Sequence, residues 1–180
     1  MSKIVLAVRT DLDAVVQRCG DLRHQVRVPV DDNADVTAVV FVWGEPADGA
    51  FAGLDVDGYV VDERVQWENA RPGIERIVFI KRLPSLSHEE FADHWLTRHT
   101  PLARRHHPRM CRYVQNLVTG TITPGAPEVD GVAELGFASR ADLEQRMYDS
   151  PRGRDVIAAD VARFIDVPAG WRVLTTPANG

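Results

Sequence analysis

The chain has 180 residues, enough for one well-filled core or two small ones, and its 44% hydrophobic and 26% charged residues describe an ordinary globular protein rather than a disordered one. A formal net charge of −5, with both signs mixed along the chain, supplies no sustained basic stripe and argues against nucleic acid as a partner. No stretch approaches the roughly 18 apolar residues of a membrane span, and the apolar segment after Met1 is too short for a secretory signal, so a cytoplasmic protein without membrane contact is expected.

Lys3 to Arg9 reads as a strand, followed by a short helix that carries Leu12, Val15 and Val16 and has Thr10 as its N-cap. Leu22 to Val30 alternates polar and apolar residues, whereas Asp35 to Trp43 is almost continuously apolar and suits a strand covered on both faces. A loop rich in Gly, Pro and Ala leads to a strand from Gly58 to Trp67, with the second helix of this half short or missing. The turn from Asn69 to Gly73 divides the chain, and a second segment of similar plan follows. Ile74 to Lys81 is its first strand, and Ser87-His88-Glu89-Glu90 is a capping box that starts a helix at His88. Arg112 to Val118 and Val132 to Phe137 are strands joined by a Gly/Pro loop. Ser139 caps a helix through Tyr148, Ser150-Pro151 opens another through Phe164, and Trp171 to Thr175 is the last strand before a frayed tail from Pro177 to Gly180.

The order β-α-β-β-α-β is the split βαβ, or ferredoxin-like, plan: an antiparallel sheet with both helices on one face. Its bare apolar face must be buried, and the first segment, a weaker copy of the same plan, is the nearest cover. The expected fold class is α+β, with tandem ferredoxin-like halves (a degenerate one at 1–70, a stronger one at 71–180). Their sheets would meet face to face as a barrel with a lumen, closed within one chain or across a homodimer.

Five of the six histidines fall between Lys81 and Val118, so neutral-pH proton chemistry is sought there. A helical projection puts His99 four residues beyond Trp95 and eight beyond Phe91, on the apolar stripe and facing inward. Imidazole, with a reference pKa of roughly 6.5, is the natural side chain for taking and returning protons near neutrality. His94 falls about 140° from His99 on an ideal helix, so the two do not form a metal pair, and no metal is expected. Alternation places Tyr113 and Gln115 on one face of their strand and Val114 and Asn116 on the other. Glu134 lies between apolar neighbours, where a carboxylate is costly unless paired. It is either a proton-transfer partner or half of a buried ion pair with Arg112 or Arg82. Trp43 and Trp67 read as core or lumen-wall residues. Cys19 and Cys111 show no disulfide or zinc spacing, and no Gly-rich phosphate loop or nucleophile elbow occurs, so no cofactor is expected.

The pieces KRLPSLSHEEFADHW, RHTPL, RYVQN, DGVAELGFAS, SPRGRD and ARFID, in that order between about Ile74 and Thr175, resemble the EthD-type members of the dimeric α+β barrel superfamily. The resemblance implies a barrel of two ferredoxin-like sheets with a pocket in its lumen. The group includes proteins similar to polyketide dehydratases, cyclases and decarboxylases, and proteins of no assigned activity. It marks His99, within RHTPL, as the proton carrier and turns Asn116 into the lumen, where its amide would polarise a substrate carbonyl. Asp160 and Asp166 match the family's ending and are read as helix-surface and capping residues. Leu117 stands where the family commonly has His, and Gly136 where it commonly has Trp.

The expected function is a cofactor-independent lyase, cyclase or isomerase for a small, mainly apolar, carbonyl-bearing metabolite. In it His99 moves the proton, Asn116 stabilises oxyanion charge and Glu134 or Tyr113 assists, while Trp95, Phe91, Trp43 and Trp67 line the substrate site. The alternative is a non-catalytic accessory protein that holds an apolar ligand.

Overall fold

The computed structural model describes residues 2–32 and 34–178; the last two residues of the expected tail lie outside them, and Pro177 belongs to the final strand. The strands are β1 (Lys3–Val8), β2 (Arg23–Pro29), β3 (Ala38–Trp43), β4 (Val56–Glu68), β5 (Ile74–Ile80), β6 (Met110–Thr121), β7 (Gly131–Phe137) and β8 (Trp171–Pro177). They form one closed antiparallel barrel in the order β1-β3-β2-β8-β5-β7-β6-β4. Two seams join the halves: β2 pairs with β8 around Val28 and Thr176, and β4 pairs with β6 from Tyr59 opposite Thr121 to Glu68 opposite Arg112. The barrel therefore closes within one chain, and a second copy is not needed to cover either sheet.

Every residue of β1 and β3 is buried, as continuous apolar runs require. Their outward residues Ile4, Leu6, Val40 and Val42 pack under Val15 and Cys19 of α1 (Leu12–Cys19) and under Phe51. Phe51 comes from the turns between β3 and β4, which stand where the second helix is missing. The N-cap of α1 is Asp11 rather than Thr10. Asp11 sits at φ 48°, and its carboxylate accepts the Ala14 amide at 3.0 Å. Asp tolerates the left-handed region far better than a β-branched residue does.

The inward residues fill the middle of the barrel, so a core stands where a lumen chamber is expected, and a cavity of about 760 Å³ opens at the mouth beside Arg27, Trp43, Glu63 and Arg112. Val5, Phe41, Tyr59, Ile77, Phe79 and Val132 pack together toward one end. Toward the end where β1 and β5 begin, buried Lys3, Glu75, Arg112 and Glu134 form an ion network. An eight-stranded barrel is just wide enough for its own side chains, which leaves little space once Tyr and Phe point inward.

Outside the second half's strands lie α2 (His88–Asp93), a π-helical turn (His94–His99), α3 (Thr100–His106), α4 (Arg140–Gln145) and α5 (Pro151–Val161). The Ser87 capping box starts α2 at His88, with Ser87 Oγ accepting from the Glu90 amide and the Glu90 carboxylate accepting from the Ser87 amide. Phe91, Trp95, Ala103, Leu143 and Phe164 press onto Ile80, Tyr113, Ala133 and Phe137 of the sheet. Gly131 lets this layer come close, because a Cβ there would lie 2.5 Å from the Trp95 ring. No helix among the described residues is long and apolar enough to cross a membrane.

Candidate functional site in the helix–sheet layer

A cavity of about 470 Å³ lies between these helices and the outer face of β5–β8. Val78, Ile80, Ala133 and Leu135 form its floor, and His99, His107, Tyr113 and Tyr148 bring polar atoms to it. Its size is that of a small-molecule site.

The His94–His99 turn is set by Pro101, which has no amide hydrogen and whose ring would press on the carbonyl four residues back in a regular helix. The chain takes the wider turn instead: the Thr100 amide donates to Trp95 O, an i→i+5 bond. Residues five apart are then stacked, not 140° apart, and both His94 and His99 reach Asp160 of α5. His99 Nδ1 donates to Asp160 Oδ2 at 2.8 Å, and His94 Nε2 to Asp160 Oδ1 at 2.9 Å. Burial pushes the Asp160 carboxyl up, but its bonds to His99 and His94 outweigh this and hold it below the usual value. Asp160 is thus a buried carboxylate that orients two imidazoles, not a surface or capping residue. The pairing commits His99 Nδ1 as donor and leaves Nε2 as its free, basic nitrogen.

Tyr113 rises from β6 beneath Trp95. Its hydroxyl oxygen accepts from Trp95 Nε1 at 2.8 Å and from Gln115 Nε2 at 3.1 Å. The Gln115 amide also donates to Trp95 O, which only accepts, so its nitrogen faces this way. Among the described residues Tyr113 has no acceptor for its own proton, so the O–H remains a donor for whatever enters the cavity. Burial raises its pKa to about 12 against the smaller opposing effect of the Gln115 and Trp95 hydrogen bonds, and the phenol stays protonated. His107 Nδ1 donates to Met147 O at 3.0 Å, and burial lowers its pKa, making it a neutral imidazole on the wall.

These groups lie within a segment that has relatives. Residues 83–168 match the EthD domain. That segment, just under half of the chain, is similar to the EthD domain. No curated protein matches the chain. Among solved structures it is similar to an anthrone oxidase-like protein, at 11% identity and a TM-score of 0.65, with 99% of this chain and 91% of that one covered. It is also similar to a point variant of chlorite dismutase from Candidatus Nitrospira defluvii, at 13% identity and a TM-score of 0.52, with the same coverages. At such identities the likeness is one of fold, that of the α+β barrels.

Within that matched segment the structure brings His99, Tyr113 and Trp95 to one cavity and leaves the other sequence-derived candidates elsewhere. Phe91 lies behind Trp95, at 5.4 Å between ring centroids, and against Phe164. Trp67 packs on Tyr113 at 5.0 Å, donates from Nε1 to Met110 O and carries the Arg104 guanidinium on its face. Trp43 is inside the barrel, with Nε1 donating to Glu63. Asn116 and Glu134 also point inward, on the opposite face of the sheet from His99. Asn116 Nδ2 donates to Val132 O and to Glu134, while its Oδ1 is buried without a partner. Glu134 takes Lys3 at 2.7 Å and Arg112 at 2.5 Å; Arg82 turns instead to Asp130. Burial alone would raise the Glu134 pKa, but the two cations bring it to about 2. Gly136 faces Arg112 and Pro72 rather than the cavity, so the missing Trp removes no wall from it.

Sequence reading missed His107, Tyr148 and Trp171 as lining residues, and Asp160 as the partner of His99. The spacing Ile157, Asp160, Val161, Phe164 would have placed Asp160 on the inward stripe of its helix. Among the described residues no three His, Cys, Asp or Glu side chains converge as a metal set.

Proposed function

We propose that this protein is a cofactor-independent lyase, cyclase or isomerase for a small, mainly apolar, carbonyl-bearing molecule, aromatic or polyketide-like, held between the helices and the second sheet. We further read the two halves, 1–70 and 71–180, as tandem ferredoxin-like units. The strand orders β4-β1-β3-β2 and β8-β5-β7-β6 support that reading.

The observation that carries the functional reading is the Asp160–His99 pair beside a phenol whose proton has no acceptor among the described residues. His99 Nε2 takes a proton from the carbon next to the substrate carbonyl. The C–H electron pair becomes the enolate π bond, and the charge gathering on oxygen meets the Tyr113 O–H. Return of the proton to another carbon completes an isomerisation. Departure of a β-hydroxyl, protonated by the His99 imidazolium, completes a dehydration. Asn116 and Glu134, on the barrel side of the sheet, have no part in this reading.

Deuterium exchange at the α-carbon of an aryl ketone, followed by NMR, tests it. His99→Ala is expected to slow exchange by about a hundredfold or more and Tyr113→Phe by about tenfold, with circular dichroism unchanged. Exchange that is equally fast in His99→Ala rejects the assignment. The largely apolar floor of Val78, Ile80, Ala133 and Leu135 favours one second reading, a non-catalytic binding or accessory protein. A ligand that co-purifies and leaves chemically unchanged, from a protein that catalyses no exchange, would select it.

A further inference from the structure

Two neighbouring arginines have no carboxylate within ion-pair distance among the described residues: Arg172 lines the cavity, and Arg76 adjoins it through Met147. Arg172 lies in β8, and Val78 of β5 is its cross-strand neighbour. Arg76 is opposite Leu174 in the same ladder, so Arg76 and Arg172 are diagonal neighbours on the outer, helix-facing side of the sheet. That relation puts their backbones roughly 7–8 Å apart, within which two long side chains can converge on one group. Arg76 is half-buried, and its one side-chain hydrogen bond among the described residues runs from Nη1 to the sulfur of Met147 at 3.7 Å, a residue that lines the cavity. Glu144, the carboxylate whose charge acts on Arg76, is paired with Arg140 at 2.7 Å. Among the described residues no carboxylate pairs with either guanidinium. Burial and then the charge of Arg172 make protonated Arg76 less favourable, and the smaller opposing effects of Tyr148 and Glu144 do not offset them.

A guanidinium does not escape this by losing its proton, and it binds planar oxyanions through paired N–H donors. Neighbouring cations left unpaired beside an apolar cavity fit a ligand that supplies the missing negative charge. We propose that Arg76 and Arg172 form a carboxylate subsite at the rim, so that the ligand is an apolar, ring-bearing body with a carboxylate at its outer end. This rests on the reading of the cavity as a ligand site and narrows its substrate class to aromatic or polyketide-like acids. The apolar body then lies inward, toward His99 and Tyr113, with the carboxylate near Tyr148 and Met147.

Calorimetric titration of the full chain with a naphthoate and with the matching uncharged naphthylmethanol tests the subsite. The carboxylate is expected to bind at least about tenfold more tightly than the alcohol. In Arg172→Gln, whose side chain is exposed and not needed for packing, and in Arg76→Gln, the preference should fall toward unity while alcohol affinity changes less than about twofold. Equal affinity of the two probes for the wild-type protein, or a preference that survives both substitutions, overturns the subsite and leaves the cavity reading intact. Failure of both probes to bind overturns the two together.

Discussion

His99 is oriented by a residue 61 positions away in the sequence. Neither side chain alone carries the geometry: the carboxylate holds the imidazole through Nδ1, and the ring lines the cavity with Nε2 outside that bond. Asp160→Asn keeps the shape but can present its amide N–H to either ring, which no longer selects the tautomer with a free Nε2. The expected result is a loss of α-carbon exchange of about tenfold to a hundredfold with little change in ligand affinity, measured by NMR exchange and calorimetry on the same preparation. An isosteric change that left exchange untouched would make Asp160 a packing residue. His99 was legible in advance because its spacing from Phe91 and Trp95 put it on the apolar stripe. Its partner was not, because a carboxylate near a helix end reads equally well as a surface group until the helix is docked.

At the scale of elements, the π-helical turn and the close approach at Gly131 together shape the cavity. The turn is the response of a helix to Pro101, and it moves His94 onto the same partner as His99. Sequence projection at 3.6 residues per turn separates the two by construction, so no reading that assumes a regular helix could have joined them. Gly131 is the point where β7 meets the Trp95 ring, at a distance that allows no Cβ. Gly131→Ala must displace Trp95 or Phe91, and a loss of about 1–3 kcal/mol in urea denaturation is expected, together with weaker ligand binding. Unaltered stability and affinity would mean that the helix layer shifts freely over the sheet. Strand alternation sorted Tyr113 and Gln115 from Asn116 correctly. It could not say which of those faces borders open space.

For the molecule as a whole, the ion network ties the halves together. Lys3 of β1 reaches Glu63 of β4 and Glu134 of β7, and Arg112 joins Glu134 to Glu75 of β5, which also holds Arg27 of β2. Removing Glu134 leaves Lys3 and Arg112 less than fully compensated inside the barrel, so Glu134→Gln is expected to lower stability by about 3 kcal/mol. With its folded pKa near 2, below the unfolded value of about 4.3, Glu134 stabilises fully above roughly pH 5 and loses that contribution as pH falls from about 4 toward 2. The urea midpoint of the wild-type protein should drop across that window, and that of Glu134→Gln should drop less. Parallel slopes would place the acid sensitivity elsewhere.

Apolar runs, alternation, the Ser87 capping box and the motif order from Lys81 to Asp166 determined by themselves the strands, the helix start and the α+β class, because each rests on chemistry local to a few neighbouring residues. Only tertiary structure decided that the barrel closes in one chain, that the middle of its axis is packed, and that His99, Tyr113 and Asp160 meet behind the sheet. Alternation assigns side chains to two faces, but whether a face meets packed atoms or a void depends on how much volume the opposite strands and the docked helices bring. That sum is taken over residues far apart in the chain.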